Sequence, residues 1–344
     1  MLEYLKSKRY LLFKVPKIGF LLFALCGGSL PPFCQADIFS QSNKEQWERD
    51  GDVFAAVPAK SGTTWLMNTL HYIRFKGQPP PFRDIYEEVR WAEFVYYPGQ
   101  PMRERIEILN QSAQNVPFAI YKSHYGPTTL KWRSNARYLT CVRNPVDLAA
   151  SLFHFANSHT KPLAKMWGGF PPSAGEQDPD MQAFERAFLV DMGNGKALFD
   201  EVVLDCIAEF WPKRNSDNVL LVHYGDRVRD HVGEIARMAK FLQCELTPSE
   251  LELVAEATSF QTMKRDADKY YGGYVFEPFR AQGKVPQNLK SVVTDMVNLG
   301  PSRNGQALLR QEFIQAIRLH VERRFGLEVT EWIYQGGALP QAEI

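Results

Sequence analysis

A chain of 344 residues with 40 Lys and Arg against 39 Asp and Glu has a formal charge of +1, so bulk electrostatics recommends no nucleic-acid partner. Its 45% hydrophobic and 13% aromatic content can fill a sizeable core and excludes the composition of a disordered chain. Five scattered cysteines, Cys26, Cys34, Cys141, Cys206 and Cys244, form no C-x-x-C pair; they suggest neither a disulfide framework nor a zinc site and point to a reducing, cytoplasmic setting.

Residues 1–40 form an N-terminal extension. Lys6, Lys8, Arg9, Lys14 and Lys17 precede an apolar stretch over 18–30, and Cys34-Gln35-Ala36 has the form of a cleavage site, so a secretory or membrane-associated route through residues 1–36 is one reading. The preferred one is a segment that packs on the domain, because Gly27, Gly28, Pro31 and Pro32 interrupt the stretch. It is also shorter than the ~20 apolar residues of a spanning helix, so no firm membrane association is expected.

From Asp52 short apolar runs alternate with helical patterns. The expected strands are 52–57, 117–121, 137–142 and 218–223, and the expected helices 63–75, 146–156, 201–211, 228–242 and 306–325. Strand followed by helix, repeated, means an α/β fold with a central, mainly parallel sheet flanked by helices. Three loop-like stretches, 77–83, 167–179 and 271–288, have the length of lids or binding loops. No linker divides the chain, so a single domain is expected over 41–330, with a C-terminal tail at 331–344.

The most informative stretch runs from Asp52 to Leu66: an apolar strand, then Val57-Pro-Ala-Lys60-Ser-Gly-Thr-Thr-Trp65, then a helix. Backbone N–H groups at a helix N-terminus, its dipole and a lysine make a site for a phosphate or sulfate. The nucleotide pattern G-x-x-x-x-G-K-[ST] would place glycines where Phe54 and Ala59 stand.

These residues resemble the 5′-phosphosulfate loop of the cytosolic-type sulfotransferases, Y-P-K-S-G-T-T-W, with one extra residue between proline and lysine. Arg143-Asn-Pro-Val-Asp-Leu-Ala-Ala-Ser151, directly after an expected strand, resembles the family's 3′-phosphate segment R-x-P-x-D-x-x-x-S. An arginine leaving a strand and a serine on the next helix can reach one phosphate. Between them, Lys122-Ser-His124 resembles the family's K-T-H and falls at the carboxyl edge of the sheet, where open α/β sheets hold ligands. Tyr224-Gly-Asp226 resembles Y-E-D, and Thr258-Ser-Phe260-Gln-Thr-Met263-Lys264 resembles T-S-F-x-x-M-K. The weakest match is Arg280-Ala-Gln-Gly283-Lys284 against R-K-G, with Pro286-Gln287-Asn288 in place of G-D-W and Lys284 as a candidate replacement cation.

The resemblance implies a single P-loop-NTPase-like domain and 3′-phosphoadenosine 5′-phosphosulfate as donor, held by Lys60, Ser61, Gly62, Thr63, Thr64, Trp65, Arg143, Ser151, Tyr224, Thr258, Phe260, Arg280 and Gly283, with Thr258 and Phe260 facing Trp65 across the adenine. His124 is assigned as general base, on the near-neutral intrinsic pKa of histidine, with Lys60 at the leaving phosphate and Lys122 at the sulfuryl group. No metal is expected. The acceptor is a small molecule bearing a hydroxyl or amine, entering among loops near 91–98, 125–127, 153–159 and 167–179. His71 and His223 read as packed side chains, and Glu87, Glu88 and Glu93 as a solvated helix face. No segment near the C-terminus resembles the family's short dimer motif, and a homodimer stays open. The competing readings are a P-loop kinase-like phosphotransferase, which would want Mg²⁺, and a nucleotide-binding homologue without turnover.

Overall fold

The sheet forms where the apolar runs are fully buried. In the computed structural model, which describes residues 32–170, 174, 181–189, 197–293 and 305–344, β1 is Val53–Ala56 and α1 is Thr63–Arg74. Next come β2 (Arg90–Trp91), α2 (Met102–Ser112), β3 (Ile120–Ser123), β4 (Arg137–Val142) and α3 (Pro145–Ser158). Then follow α4 (Asp205–Phe210), β5 (Val219–His223), α5 (Tyr224–Arg229), α6 (His231–Phe241), α7 (Pro248–Ala257) and α8 (Gln311–Gln335). The five strands run in the order β2-β3-β1-β4-β5, every pair parallel. Parallel strands need both faces covered, and they are: Phe54 and Ala56 point into one apolar cluster, Val53, Ala55 and Val57 into another.

One cluster holds the large aromatics Trp47, Phe54, Tyr121 and Tyr138 under α3, α4 and α8; Phe54 and Tyr138 stack at 5.4 Å. The other packs α1 and α6 through Leu66, Leu70, Ile235 and Met238. Asn144 caps α3 by accepting the Val146 N–H, and Pro145 fills its first turn, where no amide hydrogen is needed.

Several boundaries differ from the sequence reading. β2 has two residues, too few to leave a period. β3 starts at Ile120 and carries Lys122 and Ser123, because the buried Asp52 carboxylate accepts the Ala119 N–H at 2.7 Å and sets the entry point. The helix expected over 228–242 is two, α5 and α6, broken at Asp230, whose side chain caps α6 through the Gly233 N–H. The helix expected to end at Phe325 does break there, at a kink, and a further helical stretch runs on to Gln335. Gly326 takes φ +73°, α8 turns back there, and Arg318 pairs with Glu331 across the bend. Beyond it Trp211 donates to the Ala342 carbonyl and Arg214 pairs with Glu343 at 2.9 Å, so residues 336–344 are tied to α4's end.

Of the N-terminal extension, residues 1–31 lie outside the described residues. Phe33 and Cys34 are buried, and the Val95 N–H donates to the Phe33 carbonyl while the Gln35 N–H donates to that of Glu93, which adds an antiparallel edge beside β2. Phe33 meets Trp91, Phe94, Trp167 and Phe170 at ring distances of 5.4 to 6.1 Å. Most of the expected loop over 167–179 also lies outside the described residues.

Candidate active site

The residues after β1 make the core of the site. Lys60 sits at φ +64° and Gly62, the N-cap of α1, at φ +84°. Glycine is required at 62 twice over, since a Cβ there would also meet the Tyr224 ring at 2.8 Å. The turn leaves the hydroxyls of Ser61 and Thr63 buried without a hydrogen-bond partner. Unpaired buried hydroxyls are costly unless a ligand accepts from them, and these flank the N-terminus of a twelve-residue helix. An anion fits this cradle.

Lys60, Gly62, Thr63, Thr64, Trp65, Lys122, His124, Arg143, Ser151, Tyr224 and Phe260 line one cavity of about 630 Å³. Arg143, leaving β4, lies 4.4 Å over the Tyr224 ring and donates to the Lys60 carbonyl at 3.1 Å. The Lys60 ammonium rests 3.8 Å from the centre of the Phe155 ring on α3. Ser61 and Thr258 stand just behind the wall. Thr258 is fully buried, and its carbonyl takes the indole N–H of Trp65 at 2.8 Å.

The structure adds residues that the motifs did not indicate. The Arg227 guanidinium is 4.0 Å from the centre of the Trp65 ring, and His231 lies against the same ring at 5.1 Å while hydrogen bonding to Thr258 Oγ1. Burial, then Arg227, draws the His231 pKa down to about 4, so its ring is neutral at pH 7. A charge following an expected strand was the available signal for Arg227, but only the packing assigns it to Trp65. Tyr86 and Phe155 complete the wall on the His124 side.

Arg280 and Gly283 are not brought to this cavity. The Arg280 guanidinium is occupied elsewhere, donating to the Leu289 carbonyl at 2.6 Å and pairing with Glu277 at 3.7 Å. Lys284 pairs with Glu104 at 3.1 Å. Gly283 takes φ +69° in a turn with open space around it.

At the carboxyl edge of β3, His124 Nδ1 is 2.8 Å from the Val57 carbonyl. A carbonyl only accepts, so Nδ1 carries the proton and Nε2 keeps its lone pair. The near-neutral pKa assumed from sequence is corrected here: burial first, then Lys122, pulls His124 down to about 3, so the neutral ring persists throughout the physiological range. Lys122 is almost fully buried, with its ammonium 3.2 Å from the centre of the Trp91 ring, and burial lowers its pKa to about 7. His71 and His223 are packed, as expected. Glu93 is fully buried rather than on a solvated face, whereas Glu87 and Glu88 keep partial exposure.

A family model described as "Sulfotransferase domain" matches residues 50–285. Among curated relatives, the chain is 27% identical to an amine sulfotransferase of Oryctolagus cuniculus, over 63% of this chain and 64% of that protein. It is 28% identical to sulfotransferase 2A1 of Rattus norvegicus, over 63% and 68%, and 25% identical to cytosolic sulfotransferase 1 of Danio rerio, over 70% and 79%. Among solved structures, mouse sulfotransferase SULT7A1 complexed with PAP superposes with a TM-score of 0.59 at 19% identity, covering 89% of this chain and 95% of that one. A retinol dehydratase in complex with androsterone and the inactive cofactor PAP gives 0.54 at 18%, covering 90% and 94%. At these identities the structures speak for the fold.

Proposed function

The chain belongs to the sulfotransferase family, and from that premise we propose that it transfers a sulfuryl group from 3′-phosphoadenosine 5′-phosphosulfate to a hydroxyl or amine of a small-molecule acceptor. The observation that carries this reading is that a single cavity joins the α1 N-terminus, with the unpartnered Thr63 hydroxyl in its wall and that of Ser61 just behind it, to the imidazole of His124. Matched relatives named as sulfotransferases, and neighbours solved with PAP, support the donor. Family membership sets aside the phosphotransferase reading.

The residues divide the work. The α1 amides with Ser61, Thr63 and Thr64 hold the 5′-phosphate, Arg143 and Ser151 the 3′-phosphate, and Trp65, Tyr224 and Phe260 enclose the purine. His124 Nε2 accepts the acceptor's proton as it attacks. An alcohol or amine is too weak an acid to give its proton to an imidazole beforehand, so the proton moves as the new S–O or S–N bond forms and the S–O bond to the leaving phosphate breaks. Lys60 moves from Phe155 to the leaving phosphate oxygen, while Lys122 faces the charge on the sulfuryl group. The acceptor lies against Tyr86, Trp91 and Phe155.

Calorimetry with adenosine 3′,5′-bisphosphate should show tight binding that does not depend on added Mg²⁺, and a screen of phenols, alcohols and amines should yield a labelled sulfate ester or sulfamate. Absence of nucleotide binding would sink the reading; binding without any sulfated product would leave a nucleotide-binding homologue. We place the protein in the cytoplasm on the resemblance of its relatives, and among the described residues no helix is long and apolar enough to cross a membrane.

A further inference from the structure

Behind the cavity, two residues past β2, Glu93 is fully buried. Its Oε1 accepts the main-chain N–H of His124 at 2.8 Å, while Oε2 has no hydrogen-bond partner. A carboxylate withdrawn from water needs a cation to answer it. The β2–β3 register brings Lys122 to the same buried edge, with no direct ion pair to Glu93 among the described residues. Trp91 pairs with Lys122, the Ala92 N–H donates to the Lys122 carbonyl, and the Lys122 ammonium lies over the Trp91 ring.

We propose that Glu93 is a positioning residue for the transfer step, clamping the His124 backbone with one oxygen and serving as counter-charge to Lys122, so that both side chains face the cavity together. Lys122 is drawn toward neutrality by burial, and Glu93 followed by Cys34 pulls it back up. The other groups around this cluster are the Cys34 thiol, itself raised by burial, Arg105 of α2 acting on Cys34, Lys60 acting on His124, Tyr86 with its ring 5.1 Å from the Lys122 ammonium, and Tyr125 and Cys206, both raised by burial and in part by Glu93. Burial also raises Glu93, with Lys122 opposing. The inference rests on the sulfotransferase reading for its kinetic consequence but not for the pairing itself.

Glu93→Gln keeps an oxygen for the His124 N–H and removes only the charge, so it isolates the second role. Lys122 then loses its proton at lower pH, and the limb over which turnover falls as pH rises moves toward acid. The expected result in the full chain is a kcat about 10- to 100-fold lower at pH 7.5, the size of loss seen when the partner behind a metal ligand is removed, with adenosine 3′,5′-bisphosphate binding as before. Glu93→Asp should return the limb toward its original position. An unshifted limb, or equal losses in both variants, overturns the proposal. A thermal-unfolding cycle with Lys122→Met needs no acceptor and so separates failure here from failure of the sulfotransferase reading. Glu93→Gln should destabilise the wild type more than it destabilises Lys122→Met, and additive shifts would count against the pairing. If Glu93→Gln does not fold, recovery of folding in the double variant supports the pairing, and failure of both overturns it.

Discussion

Two cationic segments were assigned to the same donor by sequence, and the fold treats them differently. In 57–65 a buried strand, a left-handed turn and the first turn of α1 fix the backbone that carries the hydroxyls and Lys60. In 277–290 the chain makes short helical turns, and Arg280 is occupied by Leu289 and Glu277. A cation near a site in sequence contributes to it only if nothing local has taken its donors.

The sharpest test of that contrast lies at His124. His124→Ala should lower turnover by about two to four orders of magnitude and leave adenosine 3′,5′-bisphosphate affinity nearly intact, measured by single-turnover kinetics and calorimetry. Near-normal turnover would remove the base assignment. Gly62→Ala comes next. Left-handed strain and the Tyr224 ring together should destabilise the fold by about 3 kcal/mol, read in denaturant unfolding. Arg143→Ala should weaken nucleotide binding by about 2 kcal/mol, roughly 30-fold in Kd. At the other segment the effects shrink and change kind. Arg280→Ala and Gly283→Ala should each cost about 1 kcal/mol of stability with nucleotide affinity unchanged. A tenfold loss of affinity in Arg280→Ala would erase the contrast.

The parallel sheet was legible because β1, β4 and β5 are short, largely apolar runs, and the turn that leaves Ser61 and Thr63 unpartnered was legible because its residues are contiguous. What could not be read depends on distant neighbours. The two-residue β2 exists only through its pairing with β3, and Glu93 reads as solvated when grouped with Glu87 and Glu88, although it lies past β2 rather than on their helix. Arg227 and His231 gained their place from packing on Trp65, which lies over 150 residues away. The shift of His124 to about 3 likewise follows from burial that no local pattern announces.

The edge formed by Phe33 and Cys34 bears on how this chain could be trimmed. A peptidase cutting after Ala36 would strip Phe33 from four aromatic neighbours and remove the Gln35 carbonyl that Arg105 holds at 2.8 Å. The phosphate cradle would survive such a cut, while the wall behind Glu93 and Trp91 would open to water. Limited proteolysis at this boundary would therefore uncouple the two halves of the cavity, keeping the cradle at α1 intact and exposing the side that carries Lys122 and His124.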